Sequence, residues 1–258
     1  MTTINTAMSS RWSLRGKNYV VTGGSKGIGK AVVKSLLNHE AAGILFCSLS
    51  PCDLEEYKTS LGLGDPNADD ETSTPPVVRH VVCNVATKEG RETLVEAARE
   101  AFGEGRTVHG LVNNVGINVR RPILEQTEDE YHSMLRTNVD AAYFLSRMFS
   151  GLFATEGATI VNVSSAAGVQ SSGTGAAYGM TKAAVNQFTR ILACEWAGRK
   201  IRVNAVTPWM TVSYKRKAAF FFRFVVLYCC VAPNQERKLG NDKKDLGPES
   251  ASHRIDLE

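Results

Sequence analysis

Short apolar, β-branched runs alternate along this chain with longer amphipathic stretches, and this alternation constrains the fold more than any other feature. Several runs, such as Leu111-Val112 and Ile160-Val161, are apolar at consecutive positions, which is typical of strands covered on both faces. Strand–helix alternation favours an α/β fold: a Rossmann-type, doubly wound parallel sheet in a three-layer α/β/α arrangement. In such a sheet the ligand crevice lies at the carboxyl ends of the strands. The predicted strands are 18–22, 43–48, 77–83, 110–113, 158–164 and 201–206, and the predicted helices lie near 28–39, 87–102, 128–153 and 176–197.

The composition excludes several classes of protein. The 258 residues are enough for one large α/β domain with a sizeable core. A formal net charge of +4 makes nucleic acid a poor partner. No apolar run reaches the roughly 18 residues of a spanning helix, so we expect no membrane span. The six cysteines and five histidines show neither zinc spacing nor an HExxH pattern, so we expect no metal site and a reducing compartment.

Changes of composition divide the chain into three parts. We expect residues 1–14 to be a flexible leader. They lack the apolar core of a secretory signal, so they are not expected to be one. Residues 15–213 carry the strand–helix pattern and form the expected catalytic domain. Residues 214–258 combine a basic start, an apolar run at 218–232 and a polar tail, and we expect them to be partly disordered. We expect a cytoplasmic protein rather than an organellar one.

A glycine-rich loop follows the first strand and precedes a helix. Its sequence is Thr22-Gly23-Gly24-Ser25-Lys26-Gly27-Ile28-Gly29. Gly23 permits a sharp turn, and Gly27 and Gly29 let the backbone approach a pyrophosphate at the start of the helix. An ordinary glycine-rich turn is the alternative, but the strand–loop–helix context favours nucleotide binding.

A tyrosine and a lysine are spaced for acid–base chemistry. Tyr178 and Lys182 share one face of a predicted helix, where the ammonium favours phenolate over phenol by Coulomb attraction. A general acid–base at neutral pH would result. A surface pair at helical spacing is the alternative if these two residues are taken alone.

Further polar residues favour the functional interpretation. Asn113 and Asn114 end one predicted strand, Asn138 lies in the next helix, and Ser165 follows another strand. Each alone is explained by turn chemistry or by a satisfied polar position. All of them are expected at the same sheet edge as Tyr178, and such a combination rarely arises by coincidence.

Together these motifs resemble the short-chain dehydrogenase/reductase family, and the segments 11–17, 22–29, 192–197 and 201–206 are similar to its tropinone-reductase-like branch. The resemblance covers roughly residues 11–213. It implies a nicotinamide cofactor and reversible carbonyl reduction. It also implies that Tyr178 is the proton donor, that Ser165 polarises the carbonyl, that Lys182 holds the nicotinamide ribose, and that Asn138 holds a relay water. The cofactor-binding residues implied are Thr22, Gly23, Ser25, Lys26, Gly27, Ile28, Gly29, Leu49, Asn84, Val85, Asn113, Val115, Gly116, Tyr178, Lys182, Pro208 and Ser213.

The chain departs from the family pattern near the expected adenine. Asn84 replaces the acid that usually follows the third strand, and Leu49 replaces the arginine that often pairs with the 2′-phosphate. Lys26 offers an ammonium to that phosphate, and no acid ends the second strand to bind a free ribose hydroxyl. We therefore expect NADP(H) in preference to NAD(H).

The region after residue 213 lacks the family's substrate loop and last strand. We expect the sheet to lack that strand, the run 218–232 to pack against the core, and 234–258 to be mobile.

The expected function is NADPH-dependent reduction of a small ketone to a secondary alcohol. The alternative is a nucleotide-binding protein with impaired or no turnover, because a substrate lid would be missing. Apolar residues on the helices 128–153 and 176–197 favour a homodimer or homotetramer.

Overall fold

Seven strands form one sheet in the part of the chain that the computed structural model describes, which is residues 13–62, 75–103, 105, 107–209 and 226–229. The sheet order is β3-β2-β1-β4-β5-β6-β7, and the first six strands are parallel. The prediction of a doubly wound parallel sheet is therefore confirmed. The strands are β1 (Asn18–Thr22), β2 (Gly43–Ser48), β3 (Val77–Val82), β4 (Val108–Asn113), β5 (Ala158–Val163), β6 (Ile201–Thr207) and β7 (Val226–Cys229).

Six α-helices connect these strands in the described residues, and they differ from the predicted helices at two places. The predicted helix 128–153 is two helices joined by a π turn at Arg136–Asp140. A short helix at Leu54–Leu61 was not among the predicted ones; Asp53 caps it by accepting hydrogen bonds from the amides of Glu55 and Glu56, both at 3.0 Å. The helices are α1 (Gly27–Asn38), α2 (Leu54–Leu61), α3 (Lys88–Phe102), α4 (Glu128–Leu135), α5 (Ala141–Phe149) and α6 (Ala176–Trp196).

Two apolar clusters cover the two faces of the sheet. The larger contains residues of α3, α5 and α6, with Leu94 and Phe149 fully buried. The smaller contains residues of α1 and α2 packed on β1 and β2, with Phe46 fully buried. Each such side chain stabilises the fold by roughly 1.5–3 kcal/mol on burial. The two clusters hold the sheet between helices and leave the carboxyl ends of the strands for a site.

Buried polar residues fix α6 on the sheet. The Asn113 side chain on β4 donates to Asn162 Oδ1 on β5 at 2.9 Å, and Asn162 Nδ2 donates to Thr189 Oγ1 on α6 at 2.9 Å. A buried amide without a hydrogen-bond partner destabilises the fold. Any other register of α6 against the sheet would break these bonds, so they favour the observed register. The register matters because α6 also carries Tyr178 and Lys182.

The strand β7 corrects one expectation. Val226–Cys229 pairs antiparallel with β6, so the expected loss of a last strand is not confirmed. The physical reason is that an unpaired apolar edge strand favours pairing, and these four residues lie in the one apolar run that follows it. The rest of 218–232, the tail 234–258 and most of the leader 1–14 lie outside the described residues. Among the described helices, none is long and apolar enough to cross a membrane.

Candidate active site

The loop between β1 and α1 has the geometry of an anion cradle. Gly23 and Gly27 have φ of +67° and +57°, in the left-handed region that favours glycine. No side chain caps α1 at Lys26, so the amides of its first turn remain open toward the loop. A Cβ on Gly29 would collide with the Gly23 carbonyl and approach Asn114 Nδ2 to 2.7 Å. The loop therefore fits a pyrophosphate held by backbone amides.

Thr22 and Asn114 hold this loop in place from the neighbouring strand. Thr22 Oγ1 accepts hydrogen bonds from the amides of Asn114 (2.9 Å) and Val115 (3.1 Å). Asn114 Nδ2 donates to the carbonyls of Thr22 (2.8 Å) and Gly23 (3.2 Å). Asn114 was expected at this sheet edge but not among the implied cofactor-binding residues, whereas its neighbour Asn113 was. The Asn113 side chain points into the protein toward Asn162. Any cofactor contact of Asn113 must use its backbone.

Tyr57 is a second residue that sequence reasoning missed. Its hydroxyl donates to the Gly24 carbonyl at 2.7 Å, and its ring stacks on Phe46 with centroids 4.5 Å apart. A Cβ on Gly24 would lie 2.5 Å from Phe46 Cβ, so Gly24 is pressed against this ring. The helix α2 thus helps to shape the phosphate loop.

Lys182 lies at the centre of the other half of the site. It is 4% exposed, its Nζ donates to the Val163 carbonyl at 2.9 Å, and the same Nζ lies 5.8 Å from the centre of the Tyr178 ring. Burial lowers the pKa of Lys182 to about 8. A Cβ on Gly116 would lie 3.1 Å from Nζ, so this glycine leaves room for the ammonium. The structure therefore brings Tyr178, Lys182 and Gly116 together.

Asn138 lies in the π turn, where it joins three segments. Its Oδ1 accepts from the Ile117 amide at 2.8 Å, and its Nδ2 donates to the Ile117 carbonyl and to Thr181 Oγ1, both at 2.9 Å. Both amide protons are therefore used within the protein. We infer that the side chain fixes the loop after β4 against α6.

Ser165 follows β5 and faces the same crevice edge. It is half-buried, and its Oγ accepts from the Ala167 amide at 3.2 Å, so its hydroxyl proton is available to another acceptor. The next hydroxyl back along the chain, Ser164 Oγ, donates to the Lys182 carbonyl at 3.1 Å. Pro208 accepts from the Ala166 amide at 3.0 Å, which ties the end of β6 to this turn. Ser213 lies outside the described residues.

The adenine end is built differently from the catalytic end. Leu49 is 71% exposed, and Lys26 and Ser25 lie on the loop at or near the surface. Asn84 is exposed, and its Oδ1 accepts from the Ala86 amide at 3.1 Å. Val85 is 3% exposed and belongs to the apolar core, so its side chain cannot contact a cofactor.

The site contains no cluster of metal ligands among the residues that the structure describes. What it contains is a glycine cradle with an open helix N-terminus, and beside it a buried lysine next to a tyrosine and a serine. A dinucleotide with a reactive ring fits this arrangement, because its pyrophosphate and its ring would lie at opposite ends of one crevice.

The comparisons with known proteins agree with this geometry. A family model described as short chain dehydrogenase matches residues 17–219. A tropinone reductase homolog of Arabidopsis thaliana is 40% identical over 200 residues, covering 77% of this chain and 71% of the relative. Senescence-associated protein 13 of the same plant is 38% identical over 202 residues, covering 78% and 70%.

Solved structures give the same result. A Pseudomonas aeruginosa RhlG/NADP active-site complex superposes with a TM-score of 0.68 at 26% identity, covering 79% of this chain and 76% of that one. A Serratia marcescens short-chain dehydrogenase/reductase superposes with a TM-score of 0.67 at 27% identity, covering 78% and 77%. The chain belongs to the short-chain dehydrogenase/reductase family, whose members are NAD(P)-dependent oxidoreductases acting on CH–OH groups. Within that family it belongs to the tropinone-reductase-like branch.

Gly29→Ala tests the cradle. The added methyl group must displace the Gly23 carbonyl or the Asn114 amide, and overpacking of this kind costs roughly 1–3 kcal/mol. We expect the Kd for NADPH, measured by fluorescence titration, to rise by about tenfold or more. Gly151→Ala is the matched control, because nothing lies within 4 Å of a Cβ there. Equal NADPH affinity in both variants would contradict the assigned cradle.

Lys182→Met tests the burial of the ammonium. A lowered pKa means that the unfolded chain binds more protons than the folded chain between about pH 8 and the ordinary lysine pKa of 10.5. Stability of the wild type relative to Lys182→Met should therefore rise with pH, by about 2 kcal/mol between pH ~7 and ~9.5. Urea unfolding measures this difference, and the exposed Lys34→Met should show no such trend. A difference independent of pH would show that Lys182 is not buried as an ion.

Proposed function

We propose that this chain is an NADPH-dependent reductase that converts a small ketone to a secondary alcohol. The observation that supports this most strongly is the buried Lys182 ammonium beside Tyr178, at the same sheet edge as the glycine cradle. Purely structural lysines are seldom buried without a carboxylate partner, because burial of a charge is costly. A catalytic role would explain why the chain keeps a buried lysine at this position although burial of its charge destabilises the fold.

The proposed cofactor contacts follow from the positions of the residues. Backbone amides of Gly27, Ile28 and Gly29 would hold the pyrophosphate at the start of α1, with Thr22, Gly23 and Ser25 shaping the loop. Lys182 Nζ would hold the nicotinamide ribose, next to the backbone of Val115 and Gly116. When bound, the reduced nicotinamide supplies a hydride to the carbonyl carbon.

The residues of the chain supply the proton and the orientation. The Ser165 hydroxyl would donate a hydrogen bond to the carbonyl oxygen, which polarises it and fixes its position. The Tyr178 hydroxyl would then donate its proton to the oxygen as negative charge develops. The Lys182 ammonium would stabilise the tyrosinate that remains, and a pKa of about 8 keeps most of it protonated at pH ~7.

A cavity beside the start of α6 is large enough for a small substrate. It has a volume of about 660 Å³ and lies between the 167–175 loop and the first turns of α6, where Gly179 and Met180, the two residues after Tyr178, line it. Sites for small molecules commonly have volumes of this order. Among the described residues, the lining contains no charged one, which suits a neutral ketone or secondary alcohol rather than a charged substrate.

The charge at the adenine end supports NADP(H). Lys26 is exposed next to the cradle, and β2 ends in Ser48-Leu49 rather than in a carboxylate that would repel a 2′-phosphate. A structural relative was solved as an NADP complex, which agrees with this choice.

We also propose a cytoplasmic homodimer, or a homotetramer, formed through the helices α5 and α6. Tyr143 on α5 and Ile191 on α6 are 47% and 48% exposed, so both helices present apolar area outward. Exposed apolar area of this kind is typical of interaction surfaces when it is contiguous. Phe188 on α6 contacts the Tyr143 ring at 5.5 Å between centroids and joins the two helices into one face.

Tyr178→Phe tests the chemistry. Only the proton donor is lost, so we expect the Kd for NADPH to change little and turnover of any ketone that the wild type reduces to fall by roughly 10²–10⁴-fold. Tyr143→Phe on α5 is the matched control and should change neither quantity. Retention of most activity in Tyr178→Phe would disprove the mechanism. A wild type that binds NADPH but reduces none of a panel of small ketones would be the nucleotide-binding protein of the alternative interpretation.

Lys26→Ala tests the choice of cofactor. Removing the ammonium should weaken NADPH binding by roughly 5–10-fold and leave NADH binding unchanged, because only the 2′-phosphate contact is lost. Lys34→Ala, at an exposed position on the same helix, is the control for general charge effects. Equal affinities of the wild type for NADPH and NADH would contradict the preference.

A further inference from the structure

Two cysteines lie side by side where β2 and β3 end. Cys47 on β2 pairs in register with Val81 on β3, and Cys83 follows two residues later on the same side of the sheet. The Cys83 amide donates to the Ser48 carbonyl at 3.0 Å, which continues the ladder between the two strands. Both side chains belong to the same apolar cluster, with Cys47 1% and Cys83 9% exposed.

The two thiols are free and lie close enough for each to shift the pKa of the other. The interaction with Cys47 lowers the pKa of the Cys83 thiol, against the opposing effect of burial, whereas the interaction with Cys83 raises the pKa of the Cys47 thiol together with burial. Cys83, the more exposed of the two, is therefore the one that reaches the thiolate form more readily. A thiolate with a second thiol in contact is the arrangement that oxidises to a disulfide.

The pair lies directly under the adenine end of the proposed cofactor site. The Cys47 carbonyl accepts from the Gly24 amide of the phosphate loop at 3.1 Å. Leu49 follows Cys47 by two residues, and Asn84 follows Cys83 directly. Any movement of the two strand ends therefore displaces the cradle on one side and the expected adenine contacts on the other.

We propose that Cys47 and Cys83 form a redox-sensitive dithiol, which hydrogen peroxide converts to a disulfide and which thereby weakens cofactor binding. The Cys83 thiolate attacks one peroxide oxygen, the O–O bond breaks, and Cys83 becomes a sulfenic acid as hydroxide leaves and takes up a proton. The Cys47 thiol then attacks the Cys83 sulfur, the S–O bond breaks, and a second water leaves with the thiol proton. In sum, two thiols lose two electrons and one peroxide is reduced to two waters.

Closing the S–S bond requires the strand ends to move. Neighbouring strands lie about 4.8 Å apart and rise about 3.3 Å per residue, so Cα atoms two positions out of register are roughly 8 Å apart, whereas disulfides favour about 5.5–6 Å. The bond therefore pulls the ends of β2 and β3 together and is strained, and strained disulfides are the easily reduced ones. The effect on cofactor affinity rests on the proposed function, but formation of the disulfide does not.

The test uses a full-length variant in which Cys52, Cys194, Cys229 and Cys230 are replaced by serine, so that Cys47 and Cys83 are the remaining thiols. The protein is treated with hydrogen peroxide, and thiols are counted by mass spectrometry with peptide mapping. The Kd for NADPH is measured before oxidation, after it, and after reduction with dithiothreitol. The matched control is the same variant with Cys83→Ala, which keeps an apolar side chain in the cluster and cannot form the disulfide.

We expect a 47–83 cross-link, a mass loss of two hydrogens, and NADPH binding that is roughly tenfold weaker, equivalent to about 1.4 kcal/mol, and restored by dithiothreitol. The Cys83→Ala control should keep its affinity through the same treatment. Sulfinic or sulfonic acid at Cys83 without a cross-link would overturn the proposal, and so would a cross-link that leaves NADPH affinity unchanged. A cross-link in a protein that binds no NADPH even when reduced would instead contradict the proposed function.

Discussion

The burial of Lys182 is the interaction on which the rest of the site depends. Its Nζ donates to the Val163 carbonyl at the end of β5, and its own carbonyl accepts from Ser164 Oγ. A Cβ on Gly168 would lie 2.5 Å from the Lys182 carbonyl carbon, so the turn after β5 rests directly on this residue. One lysine therefore joins the strand, the turn that carries Ser165, and the helix that carries Tyr178.

The two halves of the crevice are connected through β4. At its carboxyl end, Asn114 holds the phosphate loop through two carbonyls, and Gly116 leaves space for the Lys182 ammonium. Asn138 then fixes the Ile117 backbone and reaches Thr181 on α6. The distance between the glycine cradle and the Tyr178–Lys182 pair is thus set by residues 114–117, the four consecutive residues after a buried strand. Because Asn114 and Asn138 use their side-chain hydrogen bonds within this stretch, a shift at one end would leave donors or acceptors unsatisfied at the other.

Much of the fold was predictable because burial on both faces leaves a pattern in the sequence. The runs that form β1, β2 and β5 are apolar enough to be recognised without tertiary information. The π turn at Arg136–Asp140 was not predictable, because the signal is a bond from Asn138 to a loop twenty-one residues earlier. The run 218–232 was expected to pack against the core, but its pairing with β6 as a strand was not predictable, since a short apolar run is compatible with either a helix or a strand.

The candidate site also combines residues that were predictable from the sequence with residues that were not. Tyr178, Lys182 and the glycines were visible because their spacing has a chemical meaning on a helix or in a loop. The roles of Asn113 and Asn114 could not be separated, because two adjacent residues at a strand end face opposite sides, and only the fold decides which side is the crevice. Tyr57 was missed for a similar reason: its hydroxyl meets Gly24 only after α2 packs on the sheet.

The most direct test of the central claim is a crystal structure of this chain with bound NADPH, and the distance to measure is from Lys182 Nζ to the nearest ribose hydroxyl on the nicotinamide side. We expect a hydrogen bond of about 2.7–3.2 Å, with the Tyr178 hydroxyl on the same ribose edge and the pyrophosphate on the amides of Gly27–Gly29. A ribose more than about 4 Å from Nζ, with the lysine still bonded to Val163 alone, would contradict it.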